Sequence, residues 1–98
     1  MTESVRETAV RAQIVVSGRV QGVGYRAFAV RTGTRHGLTG GVRNRDDGRV
    51  ELDVEGRRTA IEMLLGELKL GPPGAHVTGI EVEWKSATGL FSGFVIWY

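Results

Sequence analysis

The stretch LTGGVRNRDDGRVELDVE, residues 38–55, decides how the rest of the chain is read. Its second half alternates without a break: Val50, Leu52 and Val54 are apolar, while Glu51, Asp53 and Glu55 are acidic. A period of two marks a strand with one buried and one wet face. Just before it, Asp46-Asp47-Gly48 is a hairpin signal, because the Asp-Gly pair tolerates positive φ. Leu38 to Asn44 is therefore expected to pair with Arg49 to Glu55, and the acidic row is expected to be a solvated strand face.

Outward from this hairpin the pattern changes period on both sides. Toward the N-terminus, QIVVSG at 13–18 is short and β-branched, which predicts a buried strand. The glycine-rich stretch SGRVQGVGYR, residues 17–26, follows it, and Tyr25 to His36 then carries Tyr25, Phe28, Ala29, Thr32 and Gly33 at helical spacing. Gly37 ends that helix. On the other side, Arg57 to Leu70 places Ile61, Leu64, Leu65 and Leu68 at i, i+3, i+4 and i+7, and Gly71-Pro72-Pro73 stops it. Val77 to Lys85 and Phe91 to Tyr98 supply the last strands. The order strand, helix, strand, strand, helix, strand, with a short extra strand, is the split βαβ plan. The expected fold class is α+β: a ferredoxin-like βαββαβ sandwich, with a mainly antiparallel sheet of four to five strands and two helices on one face.

Composition narrows the chemistry. Ninety-eight residues, 41% hydrophobic and 24% charged, suit one globular domain, and 15 glycines point to tight backbone turns. The absence of cysteine excludes disulfides, thiolate metal sites and a thiol nucleophile. His36 and His76 are isolated and complete no metal-ligand pattern. The opening MTESVRETAVRA lacks the apolar core of a signal peptide, and no run of 18 apolar residues is present. The expectation is a cytoplasmic protein with a flexible extension at 1–11 and one domain at 12–98.

Net charge is only +2, yet arginine supplies 11 of the 13 cations and seven of these fall within residues 19–49. Such a belt suits a small anion or a nucleic-acid backbone. In the split βαβ plan the first and second strands run in the same direction, so their C-terminal ends share one edge of the sheet. The glycine loop leaves the first strand at that edge and Asn44 finishes the second there, on the inward-facing row of Val42. Successive N–H groups in a glycine-rich turn that opens a helix form an anion-binding concavity. Arg26 stands at the start of that helix, where a cation is unfavourable unless it faces an anion. Other phosphate and hydrolytic devices are missing: no G-x-x-x-x-G-K-[ST] stretch, no Ser/His/Asp arrangement and no paired carboxylates occur.

GRVQGVGYR, then GLTGGVRNRDDGRVEL, then Glu55-Gly56, then GPPGAHV, spread over residues 13–98, strongly resemble the acylphosphatase family. The resemblance implies a ferredoxin-like fold and hydrolysis of the carboxyl-phosphate bond of small acyl phosphates, without metal or cofactor. It places the phosphate-binding arginine on Arg26, the water-orienting asparagine on Asn44, and the phosphate cradle on Gln21, Gly22, Val23, Gly24 and Tyr25. The implied partner is a small acyl phosphate, with no nucleic acid, no membrane and the chain as a monomer. Three positions depart from the family pattern: tryptophan is usual at Gly41, alanine at Gly33, and phenylalanine is common at Tyr25.

Two other classes share this topology. An RNA-recognition domain would carry stacking aromatics on its third strand, where this chain has the acidic RVELDVE. A non-catalytic regulatory domain would have no need of both Arg26 and Asn44. An acyl phosphate also expels a carboxylate, a good leaving group, so positioning and charge stabilisation suffice without a covalent nucleophile.

Overall fold

The computed structural model describes residues 8–98. Seven elements follow one another: β1 (Ala9–Arg19), α1 (Tyr25–Arg35), β2 (Thr39–Asn44), β3 (Val50–Arg57), α2 (Arg58–Leu70), β4 (His76–Ser86) and β5 (Phe94–Ile96). They form one five-stranded sheet in the order β4-β1-β3-β2-β5. β1 lies antiparallel to β3 and β4, β2 antiparallel to β3, and only the β2–β5 pair is parallel. This is the expected α+β plan.

Alternation in the sequence becomes the core. Ala12, Ile14 and Val16 of β1 and Val50, Leu52 and Val54 of β3 face the helix layer and are buried, with Val42 of β2 on the far side of β3 and Phe94 of β5 beyond it. The α2 stripe meets them with Ile61, Leu64 and Leu68 fully buried, and α1 contributes Tyr25, Ala29 and Thr32. Burial of each large apolar side chain stabilises the fold by about 1.5–3 kcal/mol before chain entropy is set against it.

Most element boundaries differ from expectation by one or two residues, and those of β1 and β5 by more. β1 begins at Ala9, so Ala9, Val10 and Arg11 are paired with Arg57, Gly56 and Glu55 and are not part of a flexible extension; the other part of that expected segment, residues 1–7, lies outside the described residues. α1 ends at Arg35, with His36 as its cap. β5 is limited to Phe94–Ile96, because residues 87–93 are spent crossing from β4 at one edge of the sheet to the opposite edge, outside β2.

The acidic row also differs. Glu55 is only 5% exposed, since the crossover folds over it: its carboxylate accepts hydrogen bonds from the Thr88 N–H (2.8 Å), the Thr88 hydroxyl (2.7 Å) and the Gly89 N–H (2.8 Å). Burial pushes this carboxyl up, but those donors and nearby Arg11 hold it below its ordinary value. A strand face that reads as wet is covered here by a segment more than thirty residues away.

The glycine departures are matched by aromatics of the chain's end. A Cβ on Gly33 would meet the Phe94 ring at 2.5 Å, and a Cβ on Gly41 would overlap the Trp97 ring. The ring missing at position 41 is thus supplied from Trp97, whose N–H also donates to the Val42 carbonyl (2.8 Å).

Candidate active site

Gly22 and Gly24 have φ of +74° and +75°, and no non-glycine residue among those described has positive φ, so the hand of the backbone alternates through Gly22, Val23, Gly24 and Tyr25. Alternation of this kind turns successive N–H groups toward one side, a concave donor array that suits an anion. Gly24 is the N-cap of α1 and offers no side-chain cap. Among the described residues no backbone carbonyl accepts the N–H groups of Gly22, Val23, Gly24, Tyr25 or Arg26. The donors at the positive end of the helix are left for a ligand.

Two side chains hold this loop. The Gln21 amide donates to the carbonyls of Arg45 (2.8 Å) and Arg49 (3.0 Å), which fixes the loop to the β2–β3 turn beside Asn44. Gln21 therefore spends its side chain on the scaffold and can serve the cradle only through its main chain. Tyr25 is buried, and its hydroxyl donates to the Leu68 carbonyl (2.7 Å) near the C-terminus of α2, where helix carbonyls lack partners. A phenylalanine could not make that bond; burial also pushes the Tyr25 hydroxyl well above its ordinary pKa.

The β2–β3 turn is stiffened by Asp47. Its carboxylate accepts from the Arg49 N–H (3.1 Å) and guanidinium (2.6 and 3.0 Å) and pairs with Arg45 (3.2 Å), which together bring its pKa to about 2, the Arg49 side chain contributing most. Arg43 pairs with Glu51, and Arg35 with Glu67. Much of the arginine belt is neutralised within the fold.

Arg26 differs. It sits in the first turn of α1, which contains no acid, and among the described residues its guanidinium has no carboxylate partner. Its neighbour is the Tyr98 ring, 5.7 Å from the guanidinium carbon, within cation–π range. Asn44 ends β2 on the inward row, and its Oδ1 is buried without a hydrogen-bond partner. Such atoms are rare in folded proteins because each costs about 1–3 kcal/mol. A cleft of about 350 Å³, lined by Arg43, Asn44, Arg45, Asp46 and Asp47, opens at this point. The larger groove, about 730 Å³, lies on the outer sheet face, where the acids Glu51, Asp53, Glu81 and Glu83 outnumber the bases Arg43 and Arg45.

The sheet edge thus gathers the residues singled out from sequence: the loop at 21–25, Arg26 opening α1, and Asn44 next to the carbonyl to which Gln21 is tied. Sequence reasoning missed Tyr98 as the neighbour of Arg26. The only available signal was the aromatic cluster at the end of the chain.

Comparison with known proteins agrees over nearly the whole length. The acylphosphatase family model matches residues 12–96. An acylphosphatase of Anaeromyxobacter dehalogenans is 53% identical over 87 residues, which cover 89% of this chain and 94% of that one. The crystal structure of acylphosphatase from Bacillus subtilis is similar with a TM-score of 0.88 at 39% identity, covering 91% of this chain and 99% of that chain. An acylphosphatase from Coxiella burnetii gives 0.84 at 34% identity, covering 91% and 93%. A donor array without acceptors, a first-turn arginine without a counter-charge and this likeness in both sequence and fold lead to one conclusion: the chain belongs to the acylphosphatase family.

Proposed function

We propose that this acylphosphatase holds the phosphoryl group of a small acyl phosphate on the N–H groups of the 21–25 loop and the Arg26 guanidinium, while Asn44 orients the water that attacks phosphorus. The observation that carries the proposal is the orphaned acceptor, Asn44 Oδ1, at the same sheet edge as an arc of orphaned donors. Donors suit the phosphate oxygens, and Arg26 adds a planar charged fork for two of them. The acceptor suits a proton of water. A carboxamide has no useful basicity, so Asn44 places the water without removing its proton.

In the step itself an oxygen of water forms a bond to phosphorus as the bond from phosphorus to the acyl oxygen breaks. The carboxylate leaves with the electron pair, and the water's proton passes to solvent or to the phosphate released. Charge that builds on the phosphoryl oxygens meets donors already fixed by Gln21 and Tyr25, so little reorganisation is needed. The mechanism requires no metal and no covalent intermediate.

The same proposal takes residues 9–98, from the start of β1, as the catalytic domain, acting as a monomer in the cytoplasm without a nucleic-acid partner. The outer groove supports the last point, since its four acids, Glu51, Asp53, Glu81 and Glu83, outnumber the bases Arg43 and Arg45. No helix among the described residues is long and apolar enough to cross a membrane. Release of inorganic phosphate from benzoyl phosphate by the purified protein in excess EDTA tests the reaction. Turnover well above the spontaneous rate, unchanged by EDTA, is expected; a rate no higher than that without protein would contradict it.

A further inference from the structure

Glu55 and Gly56 belong to the sequence pattern shared with the family, yet Glu55 lies at the end of the sheet remote from Arg26 and Asn44. Along the β2–β3 ladder Asn44 is level with Val50 and Thr39 with Glu55. Five residue steps of about 3.4 Å put the two ends roughly 17 Å apart. What Glu55 touches is the crossover: both carboxylate oxygens are taken by Thr88 and Gly89, and the Thr88 hydroxyl in turn accepts from the Leu90 N–H (3.1 Å).

The crossover has little slack. It must pass from β4 over β1, β3 and β2 to β5, four strand intervals of about 4.8 Å or roughly 19 Å in all. Eight residue steps from Ser86 to Phe94 reach at most about 27 Å when fully extended. Glu55 on the central strand fixes the midpoint of that path. Arg11 assists, since its guanidinium binds Asp53 (2.5 and 2.8 Å) and lies 5.9 Å from the Phe91 ring.

Beyond the anchor every contact depends on register. The Gly93 carbonyl accepts from Gly40 N–H (2.9 Å), the Phe94 ring faces Gly33, the Trp97 ring covers Gly41, and the Tyr98 ring reaches Arg26. A one-residue slip would put Phe94 and Trp97 on the wrong faces. Tyr98 would move with them.

We infer that Glu55 is a positioning residue for hydrolysis: by anchoring the crossover it sets the register of β5, and through β5 the placement of the Tyr98 ring that flanks Arg26. The inference rests on Arg26 as the phosphate-binding side chain. Among the described residues Arg26 has no carboxylate to hold it, so the ring limits where its guanidinium can point. Releasing the anchor lets ring and guanidinium spread over more positions and weakens phosphate binding without touching the loop.

The test is the inhibition of benzoyl phosphate hydrolysis by inorganic phosphate, measured well below each variant's melting transition. Glu55→Gln sets an amide NH₂ against backbone donors, and the milder Thr88→Val removes one of the three bonds. Each is made in the natural background and with Tyr98→Ala, beside Arg26→Ala as reference. Glu55→Gln is expected to weaken phosphate inhibition about threefold or more, the scale of coupling between linked residues, and Thr88→Val less. Both effects should vanish in the Tyr98→Ala background. In a Trp84→Phe background, Trp97 emission should shift to the red in Glu55→Gln. Equal effects in both backgrounds, or unchanged inhibition in both Glu55→Gln and Thr88→Val, would overturn the inference while leaving Arg26 in its role. Unchanged inhibition in Arg26→Ala would overturn the role of Arg26 and this inference together.

Discussion

The two ends of the β2–β3 ladder treat polar groups in opposite ways. At the Glu55 end each is matched: three donors meet the Glu55 carboxylate, and Asp53 takes two bonds from Arg11 and one from Gln13 (3.3 Å). At the Asn44 end the inventory is left open among the described residues, with Oδ1 buried and unpaired, loop amides without acceptors and an arginine without a counter-ion. Unmatched groups reduce stability, and a ligand that completes them recovers the loss on binding. The closed end is built for persistence, and the open end is the one we propose that phosphate completes.

This contrast is sharpest where substitutions should separate chemistry from stability. Arg26→Ala at the open end is expected to lower kcat/KM by about 10³, with inhibition by inorganic phosphate lost and the melting temperature unchanged or higher. A large fall in melting temperature would mean that Arg26 supports the fold as the closed end does. Steady-state kinetics and a thermal melt on one preparation decide this.

Gly33 tests the packed side. Alanine gains up to about 1 kcal/mol of helix propensity, yet its Cβ would press into the Phe94 ring, and such overpacking costs about 1–3 kcal/mol. Gly33→Ala should therefore destabilise by about 1–2 kcal/mol in urea titrations, and the sign should reverse when Phe94 is also replaced by Leu. Loss of the same size in both backgrounds would remove the ring as the cause. Tyr25→Phe, which leaves the Leu68 carbonyl without its donor, should cost about 1 kcal/mol in the same titration.

Acid provides the smallest and most local test. Glu55 and Asp53 are held below their ordinary values of 4.5 and 3.8, so their contribution is complete above those values and fades as pH falls through the lower folded-state values. Melting temperature should therefore fall as pH drops from about 5 to about 3, and Glu55→Gln should flatten that curve. An equally steep curve in the variant would place the acid sensitivity elsewhere.

The hairpin at 38–55, the α2 stripe and the glycine loop were legible because each is a local pattern: a period of two, a period near 3.6, a run of glycines before a helix. Arg26 and Asn44 were legible because strand direction brings them to one edge. Burial of Glu55 was not, since Glu51, Asp53 and Glu55 look alike along the strand and only a crossover from another part of the chain distinguishes the last. Gly33 and Gly41 stand out only as departures from the family pattern for a similar reason: the rings packed on them, Phe94 and Trp97, arrive by a parallel pairing of β5 with β2 that no local pattern encodes.

The central claim, that the open end divides into a phosphate holder and a water holder, is met most directly by Asn44→Ala assayed on benzoyl phosphate with inorganic phosphate as competitor. A fall in kcat of about 10² or more is expected, with phosphate inhibition close to that of the natural chain. Loss of phosphate inhibition together with rate, or a kcat unchanged by the substitution, would contradict it.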